Sequence, residues 1–566
     1  MHYLLFVLSL LYCSVVVKTV IVRTEHGSIS GTEFKTSQGK LVNAFLGIPY
    51  AKPPVKELRF KEPQLIDNWT GVRSGQNFSS KCIQFIYYAG DGNNIEGDED
   101  CLYLNIFTPS ASSDSKLEVV FYIHGGAYMF GSSNSFTPYF ILDNLDIVFV
   151  TFNYRLGPFG FLSTEDEVVP GNNGMKDQVL ALKWVRKNIK RFGGDKNKIT
   201  IAGHSAGGSS VHLHYLSPLS KRLFHQGISV SGSALCPWVL AENSRAKSQL
   251  LADSVGCPTD NSNSLVDCLR SKPAKSLLLK TEELFMPWHF NPFSPFGPVV
   301  EKNSSEAFLD KDPYELLKEG NVKDAPWLTS MTTEEGLYPA STFLKNNKLM
   351  KELDENWNQI APHLLDYNNT VAKELQDEIS DKIKKFYFGN KNISTAQTAE
   401  LVRMLSDRLF AADIEKAARL HASVTSSPVY FYSFSYRGTY SAGNFFCKCN
   451  DNWGASHGDD LLYLLTTGYG SYSIDTEEDK EMVDTMVNIW ISFIQSGFPT
   501  ASPEAVWIPV APDAEEDGNL NFLQISSSKD IKPSSSLDLG NRKFWDHLPL
   551  GELRKGDEKR KHADEL

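Results

Sequence analysis

The sequence predicts an α/β fold, with a central, mostly parallel β-sheet and helices on both faces. Three observations carry the prediction. Continuous apolar, β-branched runs recur along the chain, and such runs suit strands buried on both faces. Segments between them place apolar residues at three- and four-residue spacing, the signature of an amphipathic helix. Alternation of the two argues for a parallel sheet wound by helices. The third is continuity: no internal repeat, long low-complexity linker or composition break interrupts the chain. One large domain over 18–550 is expected, although 566 residues would allow several.

The strands read in order are Val119–Ile123, Ile147–Phe152, Lys198–Ala202, Ile228–Ser231, Pro326–Met331 and Val429–Phe434. One helix is read over Asp177–Ile189, where Val179, Leu182, Val185 and Ile189 make the stripe. Another carries Met482, Met486, Ile489 and Phe493 and is stopped by Gly497 and Pro499. The stretch from about Asp253 to Thr395 is polar and helix-rich and reads as a long insertion over one edge of the sheet. Residues 1–17 read as a signal peptide, apolar from Tyr3 to Val17 and stopped by Lys18, though the usual positive start is missing. No later run is long enough for a transmembrane anchor. Residues 551–566 read as a solvated polar tail.

Composition narrows the classes. A net charge of −12 argues against broad nucleic-acid binding, which needs basic patches. Export is supported by the sequons at Asn68, Asn77, Asn303, Asn368 and Asn392. Of the eight cysteines, Cys13 falls in the leader, so an odd number remains. Proximity suggests the pairs Cys82–Cys101 and Cys257–Cys268 in an oxidising compartment. Cys236, Cys447 and Cys449 stay unassigned.

The pentad Gly203-His204-Ser205-Ala206-Gly207 fits G-x-S-x-G, a strand-to-helix turn that exposes a nucleophilic serine. A strand candidate precedes it, and "GGSSVHLHYL" can start a helix. An ordinary Gly/Ser turn would not need both flanks. Acyl transfer also needs donors for the developing oxyanion. The backbone N–H of Ala206 is one candidate. Gly125 and Gly126, in "HGGAY" directly after the strand Val119–Ile123, supply the others.

At these residues the chain resembles a family. "EDCLYLNIF" (Glu99–Phe107), "FGGDKNKITIAGHSAGG" (Phe192–Gly208), "FLGIPYAKPP" (Phe45–Pro54) and "NYRLGPFGFL" (Asn153–Leu162) look like signatures of type B carboxylesterases, the carboxylesterase/cholinesterase family of α/β-hydrolases. The resemblance runs from about Val20 to about Leu550, and within the family it leans toward nematode gut esterases. It implies the α/β-hydrolase fold, with helical insertions over the catalytic edge, and a serine carboxylesterase using a Ser-Glu-His triad and an acyl-enzyme.

Chain order in such hydrolases is serine, acid, histidine. The loop "GASHGDD" resembles the family's histidine loop and selects His457. "TTEEGLY" resembles its acid motif and selects Glu335, the residue before glycine, over Glu334, which is read as solvated. Asp460 and Ser231 match residues that stand behind the triad. Arg59 with Glu99, and Arg155 with Asp177, resemble the family's internal salt bridges. No metal or cofactor is expected. His212 and His214 are two apart on a helix, which turns their rings to different sides.

Two departures bear on substrate. Most members carry glutamate before the nucleophile; His204 here removes a negative charge from the floor of the site. The loop Cys82–Cys101 lacks the tryptophan that holds a choline cation in cholinesterases, and offers Phe85, Tyr87 and Tyr88 instead. Small uncharged esters are therefore expected as substrates rather than choline esters. The aromatic segment Trp288–Val300 is a candidate for part of the acyl pocket. Competing readings are a lipase for longer acylglycerols and a non-catalytic cholinesterase-like binding protein. The presence of Ser205, Glu335 and His457 argues against the second. The chain ends "KHADEL", one position off the K-D-E-L type of retrieval signal. Residence in the endoplasmic reticulum lumen through a retrieval receptor, with partial secretion, is the expectation.

Overall fold

The computed structural model describes residues 20–86, 94–285, 294–302, 304–344, 346–470, 472–501, 506–512 and 518–550. The expected leader, the polar tail, Asn303, Tyr87, Tyr88 and residues 288–293 lie outside them.

An eleven-stranded sheet forms the frame. Its strands in chain order are β1 (Thr32–Lys35), β2 (Leu41–Pro49), β3 (Tyr103–Thr108), β4 (Leu117–Ile123), β5 (Val148–Phe152), β6 (Gly194–His204), β7 (Gln226–Val230), β8 (Trp327–Thr332), β9 (Val429–Phe434), β10 (Leu520–Ile525) and β11 (Ile531–Ser536). The spatial order is β11-β10-β9-β8-β7-β6-β4-β5-β3-β2-β1. The run from β5 to β10 is parallel throughout. β1, β2 and β3 at one edge and β11 at the other are antiparallel.

All six predicted strands are present as β4 to β9. They are continuous apolar runs because both faces are covered. Phe121 and Ile123 of β4 join one buried cluster, while Val120 and Tyr122 join the cluster on the opposite face. The helices used below are α1 (Asn173–Asn188), α2 (Ala206–Leu216), α3 (Thr398–Ser406), α4 (Ala412–Val424), α5 (Ala442–Cys447) and α6 (Glu477–Ser496). Helix α1 presents Val179, Leu182 and Val185 to the first cluster. Helix α6 presents Met482, Met486, Ile489 and Phe493 to the second. Its ends follow from sequence. The Thr476 hydroxyl accepts from the Asp479 N–H at its start, acidic residues fill the first turn, and Gly497 closes it at φ +77°.

One expectation needs correction. The region from Asp253 to Thr395 is not a single insertion, because β8 runs through it and belongs to the sheet. Helices Ser244–Ser254, Ser262–Ser271 and Ala274–Phe285 lie between β7 and β8, and a second helical set including α3 and α4 lies between β8 and β9. Between α3 and α4 the chain makes a π-helical turn, Asp407–Ala411, an irregularity frequent at functional sites.

Candidate active site

Ser205 stands between β6 and α2 with φ +59° and ψ −123°, a strained conformation for a residue with a side chain. The surroundings hold it there. Its N–H donates to the Val230 carbonyl at the end of β7 (2.8 Å). Helix α2 lies so close to β4 that a Cβ on Gly207 would come within 2.0 Å of the Ile123 carbonyl oxygen. Small residues are therefore required in this turn. Ala206 opens α2, so its N–H belongs to the first helical turn, whose donors lack intrahelical partners.

The loop after β4 lies against the serine: a Cβ on Gly125 would sit 3.0 Å from Ser205 Cβ. His124 organises this loop, a role sequence reasoning missed. Burial pushes its imidazole down to about 4, so the ring is neutral. Its Nδ1 lies 2.9 Å from the Gly125 carbonyl oxygen, and the Tyr154 hydroxyl donates to the His124 carbonyl at 2.9 Å. Trans peptides place N–H opposite C=O. Holding these two carbonyls thus fixes the direction in which the Gly125 and Gly126 N–H groups point.

His457 and Glu335, 122 residues apart, are joined by a hydrogen bond between Nδ1 and Oε2, and both are buried. The other carboxylate oxygen accepts from the Thr332 N–H at 2.7 Å. Burial pushes the Glu335 carboxyl up to about 7, opposed by the Ser231 hydroxyl and the Thr332 amide. The Ser231 hydroxyl makes no well-aligned hydrogen bond, yet lies close enough to favour the charge. Burial pushes the His457 imidazole down. The arrangement that suits both is a neutral ring donating Nδ1–H to a carboxylate, which leaves Nε2 free to accept a proton. Asp460 is buried nearby. Tyr432 donates to its Oδ2 at 2.8 Å, Oδ1 is unpartnered, and burial pushes it up to about 7.

Two sequence readings are corrected here. Glu334 is not a solvated neighbour: it is half-buried, and its carboxylate accepts from the Ala455 N–H at 2.8 Å. It clips the loop that carries His457 to the end of β8. Asp459, unnoticed in the sequence, ties the same loop to the start of α5, accepting from the N–H groups of Ser456 (2.8 Å) and Ala442 (2.6 Å). His204, in turn, is not on the floor of the site. It is fully buried behind His457, with ring centroids 4.4 Å apart.

Ser205, His457, Gly125 and Gly126 line a common cavity of about 200 Å³. Its walls are aromatic: Phe130, Phe136, Tyr338, Phe445, Phe446 and Tyr469. Lys81 and Glu96 also line it and are paired with each other at 2.7 Å. The loop Cys82–Cys101 contributes Gln84, Ile86 and Glu96, while Phe85 is buried beside them. Of the segment Trp288–Val300, the described part does not line the cavity. Phe296 packs in the core against Phe285, and Ser294 donates to the Ala127 carbonyl at 2.6 Å.

Both proposed disulfides are formed, and Cys447 pairs with Cys449 directly behind the wall residues Phe445 and Phe446. Among the described residues, Cys236 is the free cysteine, and it is buried. Both expected salt bridges are present: Arg59 to Glu99 at 2.5 Å and Arg155 to Asp177 at 2.7 Å. The rings of His212 and His214 do diverge. His212 accepts from the Ala234 N–H at 3.1 Å, meets His421 at 3.3 Å and stacks on Trp327; His214 bonds Ser220 and Gln178. Asn68, Asn77 and Asn392 are exposed, and Asn368 is half-buried.

The sheet order and a serine on a strand-to-helix turn define an α/β-hydrolase. A model of the carboxylesterase family matches residues 18–544, and the chain belongs to that family. It is 45% identical to esterase E4 of Myzus persicae over 547 residues, which span 95% of this chain and 97% of that one. It is 41% identical to venom carboxylesterase-6 of Apis mellifera, over 94% of both chains. The crystal structure of juvenile hormone esterase from Manduca sexta, with OTFP covalently attached, superposes with a TM-score of 0.82 at 28% identity, covering 94% of this chain and 99% of that one. The protein is a carboxylic ester hydrolase. These relatives are insect enzymes and give no support to the expected lean toward nematode gut esterases.

Proposed function

We propose that the enzyme hydrolyses small uncharged carboxylic esters through an acyl-enzyme on Ser205. His457 Nε2 takes the Ser205 proton as Oγ attacks the ester carbonyl, and Glu335 fixes the tautomer and stabilises the imidazolium. The N–H groups of Gly125, Gly126 and Ala206 receive the oxyanion of the tetrahedral intermediate. His457 then gives the proton to the departing alcohol. Water, deprotonated by His457, attacks the acyl-enzyme and releases the acid. Ser231 and Asp460 stand behind Glu335 and tune its charge. The observation that carries this reading is the buried His457–Glu335 hydrogen bond opening into the same cavity as the strained Ser205.

The largely aromatic walls, whose Lys81 and Glu96 are paired with each other, support an apolar ester, and the limited cavity volume supports short acyl groups over the longer acylglycerols of a lipase. A series of p-nitrophenyl esters of increasing acyl length tests this; a rate that keeps rising to long chains favours the lipase reading. Acetylcholine is expected to be a poor substrate compared with uncharged acetates. Ser205→Ala should lower the rate by roughly four orders of magnitude or more, and an organophosphate should label the wild type at Ser205 alone. Labelling elsewhere, or an active Ser205→Ala, removes the assignment, whereas a wild type that neither hydrolyses these esters nor takes the label revives the binding-protein reading.

The location proposal is lumenal. The A-D-E-L ending of the chain supports binding to a retrieval receptor, with glycans on Asn68, Asn77, Asn303, Asn368 or Asn392 acquired on the way. Deleting Asp564–Leu566 is expected to move activity into the medium. Equal secretion of both forms means the tail is not a working signal.

A further inference from the structure

His457 sits in a slot of rings. His204 lies 4.4 Å away between centroids, Phe410 of the π-helical turn 4.7 Å, and Tyr338 5.5 Å. Of these neighbours, His204 is the polar one lodged on the side away from the cavity. It is fixed from behind: the Tyr469 hydroxyl lies 3.3 Å from His204 Nδ1. Tyr469 is itself held, because its carbonyl accepts from the Tyr440 hydroxyl at 2.5 Å. The contact is tight enough to dictate the next residue of the histidine loop. A Cβ on Gly458, at φ +88°, would come within 2.7 Å of the Tyr469 ring and 3.3 Å of the His204 ring. His204 Nε2 is buried without a partner, so no second hydrogen bond explains why an imidazole occupies this place.

We propose that His204, clamped by Tyr469, is a positioning residue for His457: it fixes the tilt of that ring and keeps its inner side free of charge. The proposal rests on His457 acting as the base on Ser205. The groups around the two rings that can carry charge are Glu335, Asp459, Asp460, Tyr338 and Tyr469. Burial first, and the neighbouring His457 second, keep His204 neutral. The carboxylates around the slot are thus Glu335, Asp459 and Asp460, and His204 adds no charge when His457 becomes an imidazolium. Tyr469 also lines the cavity, so it connects the wall that meets substrate to the ring that moves the proton.

The test uses His204→Gln, His204→Glu and Tyr469→Phe in the full chain. Each is first titrated with diethyl p-nitrophenyl phosphate to count reactive Ser205. Absence of labelling at Ser205 in the wild type overturns the triad reading itself, and with it this proposal. Given a labelled serine, His204→Gln should lower kcat about tenfold with KM within about twofold and the acid limb of kcat/KM in place. His204→Glu adds a further carboxylate, directly against the His457 ring, so the limb should move up by about one pH unit. Tyr469→Phe should lower kcat about threefold, and the double variant Tyr469→Phe/His204→Gln should be no slower than His204→Gln, since both act through one contact. Wild-type kcat in His204→Gln, or an unmoved limb in His204→Glu, overturns the proposal. If the His204 variants do not fold, wild-type kcat in Tyr469→Phe overturns it instead.

Discussion

Glu334 and Glu335 are adjacent, both draw on backbone N–H groups, and do different work. Glu335 turns inward to His457, while Glu334 ties down the main chain at Ala455. Glu335→Gln should therefore cost about a thousandfold or more in kcat, because the imidazole tautomer is no longer fixed. Glu334→Ala should spare most of kcat and instead lower thermal stability by about 1–3 kcal/mol, the cost of leaving a buried N–H unpaired. Steady-state kinetics and calorimetry separate the two. The raised Glu335 carboxyl also sets a pH window. Above about 7 the carboxylate is charged and accepts from His457; as pH falls through about 7 it takes up a proton and activity should be lost. An ordinary carboxylate would hold activity down to about 4.3, so kcat/KM measured from pH 5 to 9 distinguishes them. Ser205 was legible because its chemistry is written in five consecutive residues. Glu335 was legible only through family resemblance, and His457 through that resemblance together with its place after the acid in chain order. The rings around His457 were not legible at all: His204, Tyr338, Phe410 and Tyr469 come from four separate segments and meet only in the folded chain.

At the scale of elements, the short helix α5 deserves a test of its own. It carries Phe445 and Phe446 into the cavity wall and ends at Cys447, whose bond to Cys449 closes the turn immediately after it. Replacing Cys447 and Cys449 together by serine should loosen that wall. KM for bulky aromatic esters should rise several-fold, while kcat for an acetate ester stays near the wild type because Ser205 and His457 sit on other elements. An unchanged KM across the series means the wall is held by packing alone. The parallel strands β4 to β9 could be read in advance because burial on both faces makes them continuous apolar runs. Strands β1, β2, β3, β10 and β11 escaped notice; β1 and β11, at the sheet edges, are half-buried or exposed throughout, and β10 mixes buried with half-buried positions. The insertion was misjudged although β8 was itself read as a strand: the polar helical stretches on its two sides were joined across one short apolar run.

For the whole molecule, the stacked pair His212 and His421 against Trp327 links fold to acidity. Burial pushes His421 down to about 3, whereas in the unfolded chain a histidine titrates near 6.5. Between those values the unfolded state holds more protons, so this pair stabilises fully above about 6.5 and progressively less as pH falls. The stability advantage of the wild type over His421→Gln should accordingly shrink between pH 7.5 and 5, and equal denaturation curves shifted by a constant amount would exclude the effect. The same architecture has a consequence for how the chain is made. One face of the sheet stays uncovered until α6 has left the ribosome, and β9 lacks its outer partner until β10 follows. At roughly 5–20 residues per second, the nascent polypeptide carries that bare apolar surface for on the order of tens of seconds. A chain terminated before Glu477 should therefore aggregate rather than accumulate as a smaller enzyme, which sedimentation of the truncated product checks.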